Sequence, residues 1–314
     1  MARKHLDHLL GEAPTTSTRV EVPVGTAEGD EPGPTLVVLG GVHGTEYAAQ
    51  DAVQRFWRSL DPGRLRGRVV VVLSVDPLAL VAHSAYVNPV DGCNLNRVWP
   101  GRADGTITER ITHRLTTEVI SGADAVIDVH GGEWDEEIDC FVIAHETPDE
   151  DVTARTRALA LAVGFPLVEL TPAAGAVLGA GTSAGEAARQ RIPALVLEAG
   201  GAGRREPRTL GYFAAALENA LRHLGLVDGE VFRYAGEPVV MDHGVMLRSP
   251  VEGVLCPHAH LGQWIRAGEV FAEVTTAEGE LLHQVVVEES GVVIDVIIAR
   301  GVRVDGFVGK IAVL

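Results

Sequence analysis

Residues 36–46 read LVVLGGVHGTE. The apolar run Leu36–Leu39 has the length and residue types of a buried strand, and Gly40 and Gly41 let the backbone bend sharply where it stops. His43 and Glu46 follow within a turn. An imidazole and a carboxylate three residues apart on the rim of a sheet can close on one metal ion. Zinc accepts neutral histidine nitrogen and carboxylate oxygen, and a catalytic zinc needs three protein ligands plus an open position. The third ligand is offered by AVIDVHGG (residues 125–132), a second apolar run ending in His130 beside a glycine pair. A third run, ALVLEAGG (194–201), ends at Glu198 with the same punctuation. A metal hydrolase needs a base that is not a ligand, to take a proton from activated water and return it to the leaving amine. Glu198 is the leading candidate and Glu186 a weaker one. In open α/β sheets ligands bind at the carboxyl ends of the strands, where these groups fall.

The composition narrows the class. At 314 residues the chain can build one large domain and a small one around a sizeable core. With 43 acidic against 26 basic side chains the net charge is −17, which argues against nucleic-acid or anionic-membrane partners. A few local arginines still suffice to hold a small anionic substrate. Cys93, Cys140 and Cys256 are odd in number and form no CxxC, so neither a disulfide framework nor a thiolate zinc site is expected. MARKHLDHLLGEAP has only an interrupted apolar patch, so no signal peptide is expected, and no stretch approaches the roughly 18–20 apolar residues of a membrane span. A soluble, cytoplasmic protein is the expectation.

Residues 1–18 read as polar and peripheral, RVEVPV (19–24) as a half-buried strand, and TAEGDEPGP (26–34) as a loop. Helical patterning over 46–60, then the run RVVVVLSV (68–75), gives strand, helix, strand and hence parallel pairing through a crossover. A further helix is expected over 106–121. GEWDEEID (132–139) reads as an acidic loop before a strand at 140–144. Helices are expected at 151–163, from about 186, and at about 210–224. The glycine-rich AAGAVLGAGTSAG (173–185) suggests a pocket wall with close backbone approach. From about residue 230 the text becomes short β-rich runs, expected to fold as a separate small β-sandwich or barrel (231–314) after a catalytic domain (1–230).

YVNPVDGCNLNRVWPG (86–101) is rich in Asn, Asp, Gly and Pro and reads as a long ordered loop, a common carrier of function. Within it Asn94, Asn96 and Arg97 set a guanidinium beside amides, a combination suited to a substrate carboxylate. The alternative is an arginine that staples the loop.

GGVHGTE, NPVDGCNLNRVWPG, IDVHGG and ALVLEAGG, in that order over about residues 19–225, resemble the succinylglutamate desuccinylase/aspartoacylase family of the zinc carboxypeptidase-like fold. The resemblance implies a mixed α/β protein with a largely parallel sheet flanked by helices. It implies one Zn²⁺ on His43, Glu46 and His130, with Glu198 as general base and with Asn96 and Arg97 anchoring the substrate carboxylate. The implied reaction is hydrolysis of a small anionic or zwitterionic N-acyl amino acid, or a related amide. One position departs. Many relatives carry an arginine that polarises the scissile carbonyl where this chain has Tyr86. A phenol donates a hydrogen bond without charge, and losing a charged oxyanion donor costs about 2.7–4 kcal/mol of transition-state stabilisation. Tyr86 therefore substitutes for the arginine, packs in the loop while Arg102 or another basic residue reaches in, or marks a substrate other than the usual amide. A zinc carboxypeptidase for peptide-like substrates, a metal-dependent lyase or non-amide hydrolase, and a catalytically silent binding protein stand as alternatives. The C-terminal segment resembles biotinyl- or lipoyl-type modules but reads VVVEESGVVID (285–295) at the carrier turn, with no lysine. A role in rimming the site or in a homo-oligomer interface is expected instead, and His258 and His260 are expected to be surface residues.

Overall fold

The structure is a computed structural model that describes residues 1–13, 18–171, 180–234, 236–298 and 301–314. Its first half alternates strands and helices: β1 (Arg3–Glu12), β2 (Arg19–Glu28), β3 (Glu31–Gly40), α1 (Tyr47–Ser59), β4 (Arg66–Val72), α2 (Pro77–Ala82), α3 (Ile107–Arg114) and β5 (Ala125–His130). There follow β6 (Glu136–His145), α4 (Glu150–Val163), β7 (Leu167–Thr171), α5 (Ser183–Arg189), β8 (Ala194–Gly201) and α6 (Pro207–His223). Beyond α6 the described residues form strands: β9 (Val239–Met241), β10 (His243–Ser249), β11 (Gly253–Pro257), β12 (Trp264–Ile265), β13 (Val270–Thr275), β14 (Leu281–Val286), β15 (Gly291–Ile297), β16 (Gly301–Val302) and β17 (Gly306–Val313).

The main sheet runs β1-β2-β4-β3-β5-β8-β6-β15-β17-β10. Its centre is parallel: β3 lies between β4 and β5, and β5 pairs with β8. Leu36, Val37, Val38 and Leu39 are all fully buried because both faces of β3 are covered. Strand periodicity splits them between two layers. Leu36 and Val38 join the core beneath α1, α4 and α6, whereas Val37 and Leu39 join the one beneath α3 and α5. Each such aliphatic side chain contributes about 1.5–3 kcal/mol by leaving water. The second face also carries Val126, Asp128 and His130 of β5, and Ala194, Val196 and Glu198 of β8, so the candidate catalytic groups share one side of the sheet.

The mixed, largely parallel α/β architecture is as expected, and several local expectations are corrected. Residues 1–18 are not merely peripheral: β1 pairs antiparallel with β2 from Arg3↔Glu28 to Glu12↔Arg19. TAEGDEPGP is mostly strand, since β2 runs to Glu28 and β3 starts at Glu31. A helix not foreseen, α2, is set by Asp76, whose carboxylate accepts the Leu78 and Ala79 N–H groups while Pro77 stands at the first helical position. GEWDEEID is only half a loop, because β6 begins at Glu136. Most of the glycine-rich stretch, residues 173–179, lies outside the described residues.

The chain does turn to strands near residue 230, with an apolar cluster of its own around Phe271, Val274, Val293 and Val308. Hydrogen bonding nevertheless crosses to the first part of the chain. Asp295, Val296 and Ile297 of β15 pair antiparallel with Ile138, Glu137 and Glu136 of β6, so C-terminal strands extend the main sheet. His258 and His260 stand near the surface as expected, His258 at 3.3 Å from Glu273.

Candidate active site

The turn after β3 brings His43 and Glu46 to the carboxyl edge of the sheet. Gly41 adopts a positive φ of 68°, and a Cβ at Gly44 would collide with the Ala79 backbone of α2, so both positions favour glycine. His130 reaches the same point from the end of β5. One ligand atom from each of His43, Glu46 and His130 lies within 4.8 Å of the others, and all three residues are buried. The Nδ1 atoms of both imidazoles face Glu46, at 2.7 Å for His43 and 3.1 Å for His130.

The outer ring nitrogens are held from behind. His43 Nε2 lies 3.1 Å from Asn94 Oδ1, and His130 Nε2 lies 3.1 Å from the carboxylate of the buried Asp128. The Asn94 acceptor favours Nε2–H on His43 and leaves its Nδ1 lone pair facing the centre, the arrangement a metal-binding imidazole needs, while Asp128 sets a carboxylate behind His130 without a hydrogen bond to its Nε2. Ser183 at the start of α5 donates its hydroxyl to Asp128 in turn. Glu46 Oε2 is buried with no hydrogen-bond partner among the described residues. Two inward nitrogens and a carboxylate with an unsatisfied oxygen fit zinc in ligand type and number. The charges of the group also act on one another. Burial opposes the Glu46 carboxylate, yet His130 and His43 outweigh it and hold its pKa down at about 2. Burial likewise works against a charged His130, but Asp128 and Glu46 raise its pKa well above the ordinary histidine value.

Glu198 neighbours His130 directly, the two being registered partners on β8 and β5. It is enclosed by protein but keeps a partly accessible rim. Burial, with repulsion from Glu46 and Glu136, pushes its carboxyl up to about 8 against the pull of His130.

Tyr86 sits where the departing position was expected, and its surroundings are carboxylates. Its backbone has φ +60°, a left-handed conformation costly for a residue with a Cβ. Glu133 holds it there by accepting the Tyr86 N–H at 2.7 Å, while its other oxygen takes the Thr45 hydroxyl. The phenol donates to Glu136 Oε2 at 3.2 Å, and its ring lies edge-on to His43 with centroids 5.7 Å apart. Burial and the surrounding Glu136, Asp135, Glu133 and Asp295 raise the phenol's pKa, so Tyr86 remains a neutral donor. Burial also lifts Glu133 and Glu136 to about 7 each.

The polar loop divides its candidates. Asn94, expected beside the substrate, is engaged by His43 and by the Asn96 N–H. Asn96 is buried and accepts the Ser183 N–H at 3.2 Å. Arg97 is exposed, with one guanidinium nitrogen 2.6 Å from the Asn96 carbonyl. Glu186, the weaker base candidate, pairs with Arg189 and Gln190 on its own helix.

Residues 32–224 match the model of the succinylglutamate desuccinylase/aspartoacylase catalytic domain. The chain is 31% identical over 259 residues to the N-alpha-acetyl-L-2,4-diaminobutyric acid deacetylase of Halomonas elongata, covering 81% of this chain and 74% of that protein. It belongs to the succinylglutamate desuccinylase/aspartoacylase family. Among solved structures, the family protein from Rhodobacter sphaeroides superposes with a TM-score of 0.87 at 24% identity, covering 99% of this chain and 95% of that one. The product-bound ectoine utilization protein EutE (DoeB) of Ruegeria pomeroyi gives 0.88 at 23% identity, covering 99% and 96%. At these identities the likeness is one of fold, and it extends through the C-terminal strands.

Several residues of this desuccinylase/aspartoacylase-type site escaped the sequence reading. Asp128 was signalled by strand alternation, two positions before His130 on the same face. Glu133 and Glu136 were masked by the loop assignment of GEWDEEID. Asp295 was signalled by a lone acid inside GVVIDVI, the same kind of text as AVIDVH.

Proposed function

We propose that this protein is a zinc-dependent amidohydrolase that removes the acyl group from a small N-acyl amino acid. The observation that carries the reading is the convergence of His43, Glu46 and His130 on one point, with Glu198 alongside on the neighbouring strand. Zinc held by those three residues would polarise the scissile carbonyl and acidify a water molecule. Asn94 and Asp128 keep the two imidazoles in the orientation that ligation requires. Glu198 takes the proton from water and delivers it to the departing amine. Tyr86, a neutral phenol edge-on to His43, would turn its one O–H from Glu136 to the carbonyl oxygen and serve there in place of the arginine of many relatives. Arg97, exposed in the polar loop with Asn96 beneath it, is the anchor for the substrate carboxylate.

The amine component is read from the deacetylase of Halomonas elongata, whose substrate by name is an Nα-acetylated diamino acid. We take an N-acyl diamino acid as the substrate class of this chain. The test is amine release from a panel varying both acyl group (acetyl, succinyl, longer) and amine (acidic, neutral, diamino), with zinc content measured on the same samples. Release that a chelator abolishes and zinc restores is expected. Silence across the panel with zinc bound overturns the reading, and lyase or non-amide substrates are then examined.

A further inference from the structure

The face of the sheet that carries His130 and Glu198 does not end at β8. Strand register carries it onward: Glu198 is opposite Phe141 on β6, a bulge between Ile138 and Phe141 keeps both on that face, Ile138 is opposite Asp295 on β15, and Asp295 is opposite Lys310 on β17. Cross-strand partners share a face, so the C-terminal strands deliver Asp295 and Lys310 to the same side as the candidate catalytic groups. Lys310 is committed elsewhere, with its Nζ 2.5 Å from Glu169 on β7 and over the Phe141 ring. Among the described residues Asp295 forms no ion pair, although the Lys310 charge acts on it. It is 5% exposed, and its Oδ1 is buried without a hydrogen-bond partner among the described residues. Glu136 stands diagonally across from it on the same face of β6, two residues before its register partner Ile138, and accepts the Tyr86 hydroxyl.

Two carboxyl groups brought this close need something positive between them, a shared proton or a cation. Lys310, the register partner of Asp295 on β17, is taken by Glu169. A primary ammonium has three donors on a compact charge and can bridge two carboxylates. We propose that Asp295 and Glu136 form the subsite that binds the free ammonium of the substrate, making Asp295 a specificity-determining residue contributed by the C-terminal strands. This rests on the deacylase reading and adds to it which part of the chain distinguishes a diamino acid from a neutral one. It also gives the C-terminal segment a part in the active site.

The experiment measures kcat/KM of the zinc-loaded protein for Nα-acetyl-2,4-diaminobutyrate and for Nα-acetyl-2-aminobutyrate, which lacks the ammonium. The wild-type protein is expected to prefer the first. Asp295→Asn preserves shape and removes charge, and is expected to reduce the ratio of the two specificity constants by roughly 30-fold or more, as loss of one partner in a desolvated charge contact does. Glu136→Gln is the second variant and is expected to shift the ratio in the same direction. Calorimetric binding of the products, 2,4-diaminobutyrate against 2-aminobutyrate, reads the subsite without turnover. A protein that hydrolyses neither substrate but binds the diamine more tightly supports the subsite and overturns the deacylase reading. Equal handling of the two compounds by the wild-type protein, or an unchanged ratio in a folded Asp295→Asn, overturns the proposal.

Discussion

At the residue scale the site depends on what stands behind each candidate ligand and base. Glu198 has a partly accessible rim beside His130 and is the proposed general base. Glu198→Gln is expected to lower kcat by about 10²–10⁴-fold, the usual contribution of a general base, while zinc content by metal analysis stays near one per chain. A variant that keeps its activity would move the role to another carboxyl, such as Glu133. Among the described residues the polar neighbours of the Asp128 carboxylate are the far nitrogen of His130 and the Ser183 hydroxyl. Asp128→Asn is therefore expected to act through the metal, weakening zinc affinity about 10–100-fold in a competition titration with a chromophoric chelator. His43 and Glu46 were legible in sequence because their chemistry is local, three residues apart after a strand. Glu133 and Glu136 were not, because their partner Tyr86 is nearly fifty positions away.

At the element scale β6 does most to join the parts of the molecule. Its beginning holds Glu136 at the site and pairs with β15, and its end carries His145, registered opposite Thr171 of β7. His145 is buried with Nδ1 3.0 Å from the Thr171 hydroxyl, and burial lowers its pKa below the ordinary value while Glu169 partly opposes. The sign follows from linkage. Above the unfolded pKa of about 6.5 neither state is protonated, and the histidine costs nothing. As pH falls from there through the lower folded value, the unfolded chain takes a proton that the folded chain resists, so stability declines. His145→Gln is expected to flatten that decline in denaturant midpoints measured between about pH 7 and 5, and an identical pH slope would count against it. Strands such as β3 and β5 were legible because uninterrupted β-branched runs have few other fates. The acidic opening of β6 was not, since its strand character comes from pairing with β8 and β15 rather than from its own residues.

At the scale of the whole molecule, the C-terminal strands are bonded into the main sheet through β6 and β15. A chain ending at residue 230 would leave Glu136–Ile138 of β6 without β15 and the edge of β7 without β9, and would lack Asp295. Such a truncation is expected to associate or precipitate through those edges, and to lose activity, as read by gel filtration and the amine-release assay. A monodisperse, active fragment would show the first part of the chain to be self-sufficient. No helix among the described residues is long and apolar enough to cross a membrane.

The sequence alone determined the strand-and-glycine framework, the α/β class, and the identity of His43, Glu46, His130 and Glu198 as a group, because each sits where a short-range pattern ends in a polar residue. Tertiary structure alone decided that Asn94 and Asp128 stand behind the histidines, that Tyr86 is gripped by Glu133 and Glu136, and that Asp295 reaches the same face from the end of the chain. The physical reason is register. Which buried polar groups meet is fixed by how strands far apart in sequence align, and a one-residue slip would turn any of them to the opposite face.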